Sequence, residues 1–176
     1  VAPHLTVNIN NNTLTSITTN TTGSFTFIGH SFTMPAGGTT NINSNSIVTA
    51  FNKTGAGGTV TFSTTGASSP NGTTANYTGN SFSNVTVTGA TGITGINSTD
   101  GLSTGTSVKT VTGNTFNAWT GGTSALLGIN ISYFHTGTHS VSSNTLTNLT
   151  GQTTITGISI NASANAATLL TVGSNA

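Results

Sequence analysis

A three-residue kernel recurs along the chain and constrains the fold more than any other feature of the sequence. Each copy is an asparagine followed by Ser or Thr and then by a large apolar residue. The copies are Asn12-Thr13-Leu14, Asn45-Ser46-Ile47, Asn80-Ser81-Phe82, Asn114-Thr115-Phe116 and Asn144-Thr145-Leu146. In His30-Ser31-Phe32, histidine takes the position of the asparagine. Recurrence of this kind is typical of proteins built from stacked repeats.

Asparagine suits one particular role in a stacked repeat. Its side-chain amide can bond to the same residue of the neighbouring repeat, and its backbone tolerates the left-handed conformation of a sharp corner. We therefore predict a structural asparagine ladder in which histidine stands in at one step. Its predicted members are Asn12, His30, Asn45, Asn80, Asn114 and Asn144.

Short segments that alternate apolar and polar residues accompany the kernels. In Val60-Thr61-Phe62 and Ile158-Ser159-Ile160, for example, two apolar residues flank a polar one. A period of two places the apolar residues on one face of a β-strand. Aligning these strands predicts repeats of roughly 15 to 20 residues in the first part of the chain and roughly 29 to 35 residues later.

The repeats predict an all-β fold, a parallel β-helix (β-solenoid) with irregular loop insertions. Each strand is expected to pair with the equivalent strand of the next coil, while the apolar residues stack inside. We predict a single β-helix segment over residues 1–176 that is part of a larger repeat protein. Loops rich in turn-forming residues are predicted at about 63–76 and 97–107.

The kernel and the Gly-Ile-x-Ile strand near it resemble the repeats of right-handed parallel β-helices. Residues 141–151, followed by Gly157-Ile158-Ser159-Ile160, are more narrowly similar to repeats of very large secreted surface proteins of Bacteroidota-type bacteria. Those proteins are adhesins and cell-surface fibres, and the similarity extends over roughly residues 7–160. The resemblance implies a right-handed coil, an extracellular or bacterial cell-surface location, and a structural or adhesive role.

The scarcity of charged residues argues against several kinds of partner and chemistry. The chain has two lysines, one aspartate and no cysteine. It therefore has no basic stripe for a nucleic acid, and no apolar run approaches the roughly 18 residues of a membrane helix. Glycoside hydrolysis generally uses a pair of carboxylates, and a metal site needs several ligands. We expect no catalysis, no cofactor and no metal site.

The expected partners are other copies of the protein or neighbouring coils of a longer one. A nearly uncharged surface does little to keep molecules apart, and the open end of a solenoid presents strands without neighbours. Stacking head to tail is therefore expected. Surface glycans are a further expected partner of an adhesive protein.

Two other binding roles are suggested by particular side chains. A tailspike-like, carbohydrate-binding β-helix would use aromatic stacking, for which Trp119 and Tyr133 are candidates, although Trp119 alternatively fills the core. An ice-binding β-solenoid would use rows of Thr-x-Thr, for which Thr59 and Thr61 are candidates. Similar triplets occur at 86–88, 110–112 and 154–156. The unequal predicted repeats argue against regular threonine rows.

Overall fold

The computed structural model describes residues 5–66, 71–99, 105–133, 136–163 and 168–176, which form strands and no helix. The first coil contains β1 (Thr6–Asn8), β2 (Thr13–Leu14), β3 (Ile17–Thr19) and β4 (Phe25–His30), and the second contains β5 (Thr39–Asn43), β6 (Ser46–Ile47), β7 (Phe51–Lys53) and β8 (Thr59–Thr65). The third contains β9 (Thr73–Thr78), β10 (Val85–Val87) and β11 (Gly92–Ser98). The fourth contains β12 (Ser107–Thr112), β13 (Thr115–Thr120) and β14 (Leu126–Tyr133). The fifth contains β15 (Gly137–Ser142), β16 (Thr145–Thr150) and β17 (Ile155–Ser163), and β18 (Thr168–Gly173) follows it.

Every strand pairs in parallel with the equivalent strand one coil away, so the chain is a parallel β-solenoid of about five turns. Sheet A has the order β1-β5-β9-β12-β15-β18. Sheet B has the order β3-β7-β10-β13-β16, with β2 and β6 paired beside it, and sheet C has the order β4-β8-β11-β14-β17. The predicted all-β, parallel β-helix fold is confirmed. Its right-handedness stays a prediction of the resemblance.

The predicted short repeats at the start of the chain are wrong. Equivalent asparagines of successive coils are 33, 35, 34, 30 and 31 residues apart, so all coils have nearly the same length. His30-Ser31-Phe32 has the composition of a kernel but does not mark a coil of its own. His30 ends β4 in sheet C and pairs with Thr65, whereas the kernels lie between sheets A and B.

The segments between strands are also shorter than the predicted insertions. Strand β8 continues to Thr65 and β9 begins at Thr73, so both strands extend into the first predicted insertion. The connection between them is 66–72, of which 67–70 lie outside the described residues. Strand β11 extends to Ser98, and β12 begins at Ser107. Residues 100–104 of the second predicted insertion lie outside the described part. The strands therefore extend into segments whose many turn-forming residues predicted a loop.

Three apolar columns, one from each sheet, form the core, although Ile155 and Val172 at one end of their columns are exposed. We use the word column for the residues at one register position in successive coils. The column of sheet A is Ile42, Tyr77, Val111, Val141 and Val172. The column of sheet B is Ile17, Phe51, Val85, Trp119 and Leu149. The column of sheet C is Phe25, Val60, Ile93, Leu126 and Ile155.

Gly95 in sheet C leaves room for a core side chain. A Cβ atom added at Gly95 would lie 2.4 Å from the Phe116 ring and 2.4 Å from the Gly128 carbonyl oxygen. Phe116 is fully buried, so its ring cannot move into solvent. We expect Gly95→Ala to lower the free energy of unfolding by about 1–3 kcal/mol through overpacking, as measured by urea denaturation.

Gly173 provides the matched control for this substitution. A Cβ atom added there meets no heavy atom within 4 Å. Gly173→Ala should therefore leave the unfolding midpoint nearly unchanged. Equal midpoints for the two variants would contradict the proposed role of Gly95 in accommodating Phe116.

Candidate functional site

The kernel asparagines form one continuous stack in the corner between sheets A and B. From Asn45 onward, the Oδ1 atom of each accepts hydrogen bonds from the backbone N–H and the Nδ2 of the asparagine in the preceding coil. The Nδ2–Oδ1 distances along the stack lie between 2.8 and 3.0 Å. The members of this asparagine stack are Asn12, Asn45, Asn80, Asn114, Asn144 and Asn175.

Two further features fix the stack in place. Each Nδ2 from the second coil onward also donates to a backbone carbonyl of the preceding coil, as Asn114 does to Tyr77 at 2.9 Å. The residue before each stacked asparagine has a positive φ, which turns the chain sharply at this corner. These corner residues are Asn11, Ser44, Gly79, Gly113, Ser143 and Ser174.

The structure changes the membership of the predicted ladder at two places. His30 lies outside the stack, because it belongs to sheet C on another side of the coil. Asn175 is a member that the sequence did not reveal, and its Oδ1 accepts from Nδ2 of Asn144 at 2.9 Å. Asn175 is followed by Ala176, whereas the kernel has Ser or Thr at that position, so the kernel pattern does not include it.

The aromatic candidates do not form an exposed platform in the described part of the chain. Trp119 is fully buried, and its indole N–H donates to the Phe82 carbonyl. It packs edge-on against Phe116 with ring centroids 5.5 Å apart, so its role as a surface contact is excluded. Tyr133 is the last residue of β14, and its side chain lies outside the described residues. Phe32, which is 53% exposed, is the accessible aromatic residue among those described.

Thr59 and Thr61 lie half-buried on the outer side of sheet C, on either side of the buried Val60. The register places Thr61 in a column with Thr26, Thr94, Leu127 and Thr156. Residues 154–156 lie in the same sheet, where Ile155 and Thr156 occupy the columns of Val60 and Thr61 three coils later, whereas the remaining two triplets belong to other sheets. Residues 86–88 begin in β10 of sheet B, and residues 110–112 end β12 of sheet A. Thr-x-Thr triplets therefore do not mark a single face.

One lysine is enclosed in the corner between sheets B and C. Lys53 ends β7 and is 1% exposed. Its ammonium donates to the carbonyl oxygens of Gly55 and Gly57, the latter at 2.7 Å, and to Thr91 Oγ1 at 3.4 Å. Because Thr91 belongs to the next coil, this buried cation links two coils through neutral oxygen atoms.

The other lysine also points away from solvent. Lys109 is 4% exposed, and its backbone N–H donates to Nδ1 of the buried His139 at 3.1 Å. Asp100 lies outside the described residues. The outer surface of the described part consequently carries no Lys, Arg, Asp or Glu side chain. The polar groups that it presents to a partner are mainly the hydroxyls and amides of threonine, serine and asparagine, and exposed apolar side chains such as Phe32 and Leu169 lie among them.

No chemical centre is evident among the residues that the structure describes. They include no group of three or more His, Cys, Asp or Glu side chains placed to hold a metal ion. His139 is buried, and His135, four residues before it in the sequence, lies outside the described part. The same residues form no helix that is long and apolar enough to cross a membrane.

Comparison with known proteins gives no family assignment. No protein-family model, no curated protein and no solved structure matches the chain.

Proposed function

We propose that this chain is a non-catalytic structural and adhesive segment of an extracellular or bacterial cell-surface fibre. The observation that carries the proposal is the asparagine stack, which joins every coil to the next inside the corner between sheets A and B. Backbone hydrogen bonds of three parallel sheets run along the same axis. Bonds repeated along one axis suit a stiff rod that holds other parts of a protein at a distance.

The composition of the outer surface supports an anchored protein. Because both lysines point inward, little electrostatic repulsion separates neighbouring molecules. A surface of this kind suits material that is tethered or polymerised outside the cell. The adhesive part of the proposal concerns neutral partners, such as surface glycans, which would bond to the exposed hydroxyl and amide groups.

Coils of the same protein, or other copies of it, are the proposed structural partners. A stacked asparagine offers its N–H and Nδ2 to the coil on one side and its Oδ1 to the coil on the other. The outer strands of sheet A, β1 and β18, would bond to an added coil through their backbone groups. Head-to-tail stacking would thus repeat the same corner bond without any new type of contact.

Electron microscopy combined with single-molecule pulling tests the structural role. We expect rods in which coils stack along one axis, and unfolding in coil-sized steps when force is applied along that axis. Attachment of protein-coated beads to glycan-bearing surfaces, compared with uncoated beads, tests the adhesive role. Globular particles that unfold in one low-force step, or turnover of a polysaccharide, would contradict the proposal.

A further inference from the structure

Sheet A has an ordered outer face in its first three strands. The register places Thr6, Thr39 and Thr74 in one column. Asn8, Asn41 and Asn76 form the next outward column, two residues along each strand. We call these six residues the Thr/Asn face.

Side-chain hydrogen bonds hold the asparagine column of this face in a fixed arrangement. Nδ2 of Asn41 donates to Oδ1 of Asn8 at 2.8 Å, and Nδ2 of Asn76 donates to Oδ1 of Asn41 at 2.8 Å. Beneath them, Thr40 and Ile42 are buried, so β5 cannot rotate to show its other side. The face is therefore ordered before it meets a ligand, which lowers the entropy lost on binding.

Polar residues continue the two columns into later coils. Thr110, Ser140 and Thr171 extend the asparagine column, and Thr138 lies in the threonine column. Two exposed apolar residues interrupt the threonine column, Val108 between Thr74 and Thr138 and Leu169 after Thr138. The buried Lys109 lies on the inner side of the same sheet and adds no charge to the face.

We infer that the Thr/Asn face binds ice. Neighbouring residues within a column are about 4.8 Å apart, which is the distance between adjacent strands. The two columns are roughly 6.6 Å apart along each strand. An uncharged array that repeats in two directions matches a ligand that is itself uncharged and repeats in two directions. Oxygen atoms at the surface of an ice crystal recur on this length scale, and each can donate and accept hydrogen bonds.

The threonine and asparagine groups suit this ligand better than other neutral ones. A threonine hydroxyl bonds to a lattice water, while its methyl group covers the gap between neighbouring waters. Bridging water molecules are nearly as favourable as direct hydrogen bonds, and here the ligand supplies them. The Thr/Asn face has no aromatic residue on which a sugar ring could stack.

Thermal hysteresis, the gap between the melting and freezing points of a seeded ice crystal, tests the inference. We expect the chain to produce hysteresis and to enter a growing ice front. The double variant Thr39→Lys/Thr74→Lys should lose both properties, because two hydrated ammonium groups would stand on the array. The milder Thr39→Val/Thr74→Val pair, which keeps the shape of each side chain, should weaken hysteresis while preserving the circular dichroism spectrum.

The matched control carries the same substitutions on another sheet. Thr86→Lys/Thr120→Lys alters a pair of exposed, neighbouring threonines of sheet B and should retain full hysteresis. The inference is overturned if the unmodified chain gives no hysteresis, or if the sheet B variant loses it while the sheet A variant retains it. Retention on crystalline cellulose or chitin without hysteresis would also overturn it, since a polymer crystal would then be the ligand.

Discussion

Asn114→Ala will lower the free energy of unfolding by about 3–5 kcal/mol, because several buried groups lose their partners together. Nδ2 of Asn114 donates to the Tyr77 carbonyl and to Oδ1 of Asn144, both at 2.9 Å. Its Oδ1 accepts from the backbone N–H of Asn80 at 3.0 Å and from Nδ2 of Asn80 at 2.8 Å. All three asparagines are buried, so water cannot readily replace these bonds. Urea denaturation followed by circular dichroism measures the loss.

The control for this prediction lies at the exposed end of the same stack. Asn12 donates to Asn45, but it is exposed, and water can take the place of the lost bonds. Asn12→Ala should cost only about 1 kcal/mol. If both variants unfold at the same urea concentration, the buried amides do not stabilise the coils and the stack has no mechanical importance.

Lys53→Met is expected to lower the free energy of unfolding by about 2–4 kcal/mol, although methionine fills much of the same space. The change leaves the carbonyl oxygens of Gly55 and Gly57 and the Thr91 hydroxyl without the ammonium donor. Hydrogen bonds to charged donors are stronger than neutral ones, so no nearby amide compensates fully. Thermal unfolding monitored by circular dichroism provides the measurement.

Methionine at an exposed outward position serves as the comparison for this variant. Thr86 lies exposed on β10 between the buried Val85 and Val87. Thr86→Met should leave the unfolding temperature nearly unchanged. If Lys53→Met were more stable than the parent chain, burial of the ammonium would be a net cost, as happens in some buried ion pairs.

The fold could be predicted because two signals recur in the sequence: apolar residues at alternate positions, and an asparagine that follows a sharp corner of the chain. An asparagine after a left-handed corner residue meets its equivalent in the next coil only when the coils stack in parallel. The lengths of the first coils were not predictable from the same signal. His30-Ser31-Phe32 has the composition of a kernel, but the preceding Gly29 has no positive φ and the chain makes no such corner there.

The surface was harder to predict than the core. A lysine in a sequence gives no sign that backbone carbonyls will enclose it, and Lys53 depends on a hydroxyl from 38 residues further along the chain. The threonines of the Thr/Asn face were equally hidden, because Thr-x-Asn at 6–8, 39–41 and 74–76 alternates as any outward strand does. Only the register between coils shows that these side chains stand side by side.

The inward position of both lysines has a consequence for the conditions under which this protein operates. Dissolved ions weaken attraction between exposed charges, and at about 0.5 M salt the screening distance is only a few ångströms. A described surface without formal charges has no such attraction to lose. Contacts made by its hydroxyl and amide groups should be nearly as strong in brine as in fresh water, so the adhesion or crystal binding proposed here would tolerate wide changes in salinity.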